Sequence, residues 1–130
     1  MRAAEPLAGL RVVAEPAALD SARWAGPEVT VLRFAPDDAF GIGATGVETA
    51  DEHAIVAPET GFAGLWLTLD DLVRHLEWPL PAERPVLAQG SIAGVPAKVW
   101  LPAGAGPDGD GTVLVLTAAA YADELADRLR

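Results

Sequence analysis

Few residues of this chain could do chemistry. Cysteine is absent, serine occurs only at Ser21 and Ser91, histidine only at His53 and His75, and Lys98 is the only lysine. Gly90-Ser91-Ile92-Ala93-Gly94 is not a nucleophile elbow, because its first glycine adjoins the serine and leaves no spacer for the strained strand-to-helix turn. Lys98 would need burial to depress its pKa before it could form a Schiff base. Strand alternation sets it with Pro96 and Trp100, opposite Val95, Ala97, Val99 and Leu101, so it points away from the core. His53 has Asp51 and Glu52 beside it and His75 has Glu77, yet neither shows the His-Glu-x-x-His spacing of a zinc site. His75 lies four residues after Asp71 near the end of a predicted helix, where a cation is favourable. Both histidines read as surface residues. The acid pairs Asp37-Asp38 and Asp70-Asp71 fall at a turn and a helix N-terminus, ordinary places for acids. No triad assembles, no metal site is expected, and no cofactor is called for.

Two glycine-rich stretches need separate treatment. Gly41-Ile42-Gly43-Ala44-Thr45-Gly46 spells G-x-G-x-x-G, which binds dinucleotides when a strand precedes it and an amphipathic helix follows. Here Val47-Glu48-Thr49-Ala50-Asp51-Glu52 follows, with no apolar face and with three acids that would repel a phosphate. The run reads as a turn, with a nucleotide-binding loop over 41–46 as the alternative. Asp108-Gly109-Asp110-Gly111 looks like the start of a calcium loop. An EF-hand needs a bidentate acid at its twelfth position, which here is Ala119. A solvated turn is the expectation.

The elements that must position these residues follow from periodicity. Residues 1–27 read as an irregular N-terminal segment, with a short strand over 10–14, a short helix over 17–24 and a break at Gly26-Pro27. The core spans 28–130. Strands are predicted over 29–34, 40–44, 53–57 and 62–67, with turns at Pro36-Asp37-Asp38 and Pro58-Glu59-Thr60-Gly61. Thr68 is a helix N-cap with Asp71 as its reciprocal partner. Leu69, Leu72, Val73 and Leu76 form one apolar stripe of a helix over 69–77 that Pro79 and Pro81 end. Segments 85–93 and 95–101 form a strand pair around Gly94, and 102–111 is a loop. Thr112–Leu116 is an unbroken apolar strand, expected at the centre of a sheet. Thr117 is expected to cap a terminal helix over 118–129, with Tyr121, Leu125 and Leu129 on one face and Glu124 paired with Arg128. Strands in runs with two main helices predict a single α+β domain built on a mostly antiparallel sheet.

Composition bounds the function. The chain has 130 residues, 51% of them hydrophobic, and a net charge of −10. That length and apolar content suffice for one core without staples. An acidic surface repels phosphate backbones and anionic lipid, which argues against nucleic-acid and membrane-surface roles. It suits either solubility or docking against a basic protein. Glu5, Pro6, Arg11 and Glu15 interrupt any signal-peptide core, and no run approaches a bilayer span, so a cytoplasmic protein is expected.

Trp100 beside Lys98 and Pro96 marks a possible interface, since solvent-facing tryptophan favours protein contacts; a covering helix or N-terminal segment is the plain alternative. The order of the last sixty residues carries a resemblance. A striped helix (Leu69 to Glu77) leads to Pro79-Leu80-Pro81. Ala88-Gln89-Gly90-Ser91-Ile92-Ala93-Gly94-Val95-Pro96, a Trp-bearing strand, the Val113–Leu116 strand and Ala119-Ala120-Tyr121-Ala122 follow. This arrangement, with Val31-Leu32-Arg33-Phe34-Ala35-Pro36-Asp37-Asp38 upstream, resembles the gamma subunit of heterotetrameric sarcosine oxidase. That family has the glycine-cleavage aminomethyltransferase-like fold. The chain departs from it at Gly90, where a threonine is usual, and at Ala119-Ala120-Tyr121, where Arg-Ser-Phe is usual. The resemblance implies a non-catalytic accessory subunit without cofactor, docked on a larger flavoprotein in a flavin- and folate-linked complex that oxidises N-methylated amino acids. A stand-alone acidic protein-binding module is the second expectation, and a small nucleotide-binding protein the third.

Overall fold

A computed structural model describes residues 3–105 and 111–130. The Asp108–Asp110 turn therefore lies outside the described residues. The chain forms two compact units, Leu7–Gly61 and Phe62–Arg130, the latter with Met1–Pro6. The architecture is α+β and mostly β, with antiparallel strand pairing as expected.

In the Leu7–Gly61 unit, β1 (Glu5–Val13) and β3 (Thr30–Ala35) pair on either side of β4 (Asp38–Ile42). A tight turn at Pro36-Asp37 joins β3 to β4, as the sequence predicts. A five-residue helix, α1 (Pro16–Asp20), starts with proline in its first turn, where the missing N–H costs nothing. It is shorter than the 17–24 expectation because Arg23–Ala25 leaves it to form β2, which pairs with β5 (Gly46–Glu48). Val12, Ala14, Ala18, Leu19 and Ala39 form a buried cluster against which Trp24, Val31 and Val47 pack. Around Arg11 of β1 lies an ion cluster that periodicity does not reveal. Arg11 donates to both carboxylate oxygens of Asp38 (2.6 and 2.8 Å) and to Glu59 (2.8 Å), with its guanidinium 4.6 Å from the centre of the Phe34 ring. The hydrogen bonds to Asp38, and then to Glu59, raise the Arg11 pKa above its ordinary value.

The turn predicted at Pro58-Glu59-Thr60-Gly61 does not form. The chain runs as one fourteen-residue strand, β6 (Ile55–Thr68). Proline and glycine are tolerated there because Glu59 is held by Arg11 and its carboxylate also accepts from the Gly61 N–H at 3.0 Å.

In the Phe62–Arg130 unit the strand order is β6, β9 (Thr112–Ala118), β8 (Val95–Leu101), β7 (Val86–Ile92). The apolar β9 is flanked by a strand on each side, as its unbroken hydrophobicity requires. β7 and β8 form a hairpin closed by Ala93-Gly94, both at positive φ (51° and 83°), the signature of a type I′ turn. One sheet face carries Leu65, Leu67, Val113, Val115, Val95, Ala97, Val99 and Leu101. With Leu69 and Leu72 of α2 (Leu69–Val73) and Leu125 and Ala126 of α3 (Ala122–Arg128), they make the unit's core.

The helices differ from the 69–77 and 118–129 expectations. Thr68 does cap α2, its hydroxyl accepting from the Asp71 N–H at 3.1 Å, but the Asp71 carboxylate turns to Arg74 instead of reciprocating. α2 stops at Val73, and His75 and Leu76 continue through i→i−3 bonds, a tightened last turn ahead of Pro79. At the other end Thr117 is no cap. It stays in β9, buried, and its hydroxyl donates to the Pro96 carbonyl at 2.7 Å. A 3-10 turn over Ala119–Tyr121 then precedes α3, in which the expected Glu124–Arg128 pair forms.

Candidate functional site

The second face of the Phe62–Arg130 sheet carries the residues that the sequence marks as an interface. Along β8, Val95, Ala97, Val99 and Leu101 are buried, whereas Pro96 is exposed and Lys98 and Trp100 are half-buried. Alternation in β8 is therefore as predicted. The register aligns two cross-strand rows on this face. One runs Trp66, Leu114, Trp100, Leu87, and the next runs Gly64, Leu116, Lys98, Gln89.

Trp100 is less open than a lone solvent-facing tryptophan because it lies in the first row, opposite both Leu114 and Leu87. Trp66, at the end of the row, is the most exposed tryptophan among the described residues (39%). Lys98 reaches across to β7, its ammonium donating to the Gln89 side-chain oxygen at 2.7 Å. That bond orients Lys98 along the sheet surface, toward β7.

Beside Lys98 the face opens into a cavity of about 380 Å³, with Phe62, Pro96 and Tyr121 as its apolar walls, the fully buried Leu116 beneath them, and Gln89 and Lys98 at its polar side. Three features shape it. Pro96 has no N–H to offer β9, so the β8–β9 pairing runs only from Trp100 to Lys98, and the Thr117 hydroxyl meets the Pro96 carbonyl. The 3-10 turn after β9 swings Tyr121 out, leaving it 45% exposed. The type I′ turn is held from outside by Arg128, which donates to the Ala93 carbonyl at 2.7 Å. The sequence reading named Pro96, Lys98 and Trp100 as a possible interface and did not name Phe62, Leu116 or Tyr121, which lie beside them. The unbroken apolar run of β9 was the available signal, since it places Leu114 and Leu116 on the face opposite Val113 and Val115.

Other candidate residues resolve into structural roles. Gly41 lies under Trp24, and a Cβ there would fall 2.4 Å from the indole. Gly43 has φ +83°, and a Cβ on it would meet the Glu28 carbonyl at 2.4 Å. The run 41–46 thus ends β4 and turns into β5, not into a helix. Gly90 sits against Trp78, whose indole N–H donates to the Ser91 carbonyl at 2.8 Å. His53 is almost fully exposed beside Glu52, and His75 belongs to the other unit. Among the described residues no three His, Asp or Glu side chains converge on a metal site, and no helix is long and apolar enough to cross a membrane.

No family model, no curated protein and no solved structure matches this chain significantly.

Proposed function

We propose that this chain is an accessory protein-binding subunit that docks a larger partner through the second face of its Phe62–Arg130 sheet, around Pro96, Lys98 and Trp100. The observation that carries this reading is the open cavity walled by Phe62, Pro96 and Tyr121, with the Lys98–Gln89 pair beside it. An apolar centre with an aromatic wall and a polar margin is the usual anatomy of a protein contact. In this reading the chain contributes surface, and the chemistry belongs to the partner. The resemblance to the sarcosine oxidase gamma subunit gives the reading its specific form, a larger flavoprotein that oxidises N-methylated amino acids.

The test is a tagged pull-down from the native cell, with mass spectrometry and a visible absorbance spectrum of the eluate. The proposal expects a flavoprotein in fixed ratio, retained by wild type and lost by a Tyr121→Ser, Pro96→Asp double variant. A colourless eluate without a stoichiometric partner would overturn it.

A further inference from the structure

A second surface, within the Leu7–Gly61 unit, has a different character. Val13 (40% exposed), Ile55 (65%) and Val56 (46%) are among the few large aliphatic side chains left open. Val13 and Ile55 line one cavity of about 550 Å³ together with Pro16 and Pro36, and its other walls are Glu15, Asp37, Asp51 and His53. A neighbouring cavity shares Glu15, Asp51 and His53 and adds Glu52. An aliphatic cleft is thus bordered by three carboxylates, with a fourth, Glu52, in the cavity next to it.

The local charge is not neutralised by the unit itself. Leu7–Gly61 contains nine acids and three arginines, a net charge of −6 with histidine neutral. Arg11 is taken up by Asp38 and Glu59, and Arg33 by Asp20 and the Pro36 carbonyl. Arg23 lies on β2 opposite Glu48. The cleft is also pre-shaped. The Asp51 carboxylate accepts the Glu15 and His53 N–H groups, each at 2.9 Å, and the Thr49 hydroxyl accepts the Asp51 N–H at 2.9 Å. The two walls of the cleft are therefore tied together before any ligand arrives, which lowers the ordering cost of binding.

We infer that this cleft is a docking site for a basic peptide segment of a protein partner. One aliphatic side chain of the segment enters between Val13 and Ile55, while flanking arginines or lysines meet Glu15, Asp37 and Glu52. The apolar contact supplies affinity, and the carboxylates supply sign selectivity and a fast, salt-sensitive approach. This site is independent of the Lys98 face and stands or falls apart from it.

The probe is a fluorescein-labelled peptide with one leucine between two pairs of arginines, titrated by anisotropy with the full chain at low salt. Amide shifts in two-dimensional NMR map the contact. The inference expects saturable binding, shifts centred on residues 13–16, 36–37 and 51–55, and weakening on raising salt. Replacing the peptide's leucine by serine, or Ile55→Ser in the protein, weakens binding roughly tenfold, the scale of one partly buried aliphatic group. Glu15→Gln with Asp37→Asn weakens it by a similar factor. Both variants alter exposed side chains, and circular dichroism verifies their fold. Equal binding of the serine peptide would reduce the surface to non-specific charge attraction and overturn the inference. Shifts centred elsewhere would overturn it too.

Discussion

Gly90 and Trp78 are coupled by geometry, and a double-mutant cycle measures how strongly. An ideal Cβ at position 90 falls 2.7 Å from two carbons of the Trp78 indole and 3.1 Å from its nitrogen. Non-bonded carbons prefer about 3.5–4.0 Å, so Gly90→Ala pushes the indole outward by roughly 1 Å. Trp78 then loses its 2.8 Å bond to the Ser91 carbonyl, a net of about 0.5–1.5 kcal/mol. It also loses part of its packing on the core, where a half-buried indole removing about 100 Å² from water contributes up to ~2.5 kcal/mol. Losing half of that packing, and recovering about 0.5–1 kcal/mol because alanine suits a strand better than glycine, leaves a net cost of about 1–2 kcal/mol. With Trp78→Ala already present the clash is gone, and Gly90→Ala should stabilise by about 0.5 kcal/mol. The coupling energy is therefore about 2 kcal/mol, read from urea unfolding followed by far-UV circular dichroism so that the lost indole does not bias the signal. Gly90→Thr, with a larger side chain at the same place, should likewise be tolerated only without Trp78. An equal cost of Gly90→Ala in both backgrounds would refute the account.

Two further outcomes follow from single hydrogen-bonded groups. Thr117→Val strands the Pro96 carbonyl beside a buried position, so it should lower stability by about 1–3 kcal/mol, whereas Thr117→Ser should cost clearly less; chemical denaturation of both variants checks the order. Bonds from the Glu15 N–H, and then from the His53 N–H, hold the Asp51 pKa below the ordinary carboxylate range. The sign is that of a depressed acid: this contribution is complete above the unfolded-state pKa and is lost as pH falls through the lower folded-state value. Thermal melts from neutral to acid pH should show a shallower acid-side decline for Asp51→Asn than for wild type, and parallel curves would remove Asp51 from the acid response.

The two surfaces differ in the partner chemistry they fit. The Lys98 face is apolar with a polar margin, whereas the Val13–Ile55 cleft carries carboxylates. A partner using both would bring an apolar patch and a basic segment. The pull-down and the peptide titration separate the two contributions.

Local chemistry was enough to determine much of the chain. Alternation in β8 placed Val95, Ala97, Val99 and Leu101 inward, and the unbroken run of β9 required a strand on each side. Thr68 capped a helix because its hydroxyl lies within reach of an N–H three residues on. Ala93-Gly94 closed a hairpin because two residues at positive φ match the strand twist. Tertiary partners decided the rest. Pro58 and Gly61 read locally as a turn, yet the strand runs through them because Arg11, 48 residues from Glu59 in sequence, fixes that carboxylate. Thr117 had the side chain of a helix cap, but a proline 21 residues away left a carbonyl within its reach, so it stayed in the strand. Glycines 41, 43 and 90 are required by distant groups: indoles from Trp24 and Trp78 and a carbonyl from Glu28 occupy the space their side chains would need. Periodicity reports which face of an element is apolar, whereas which distant group meets that face depends on how the chain folds back on itself.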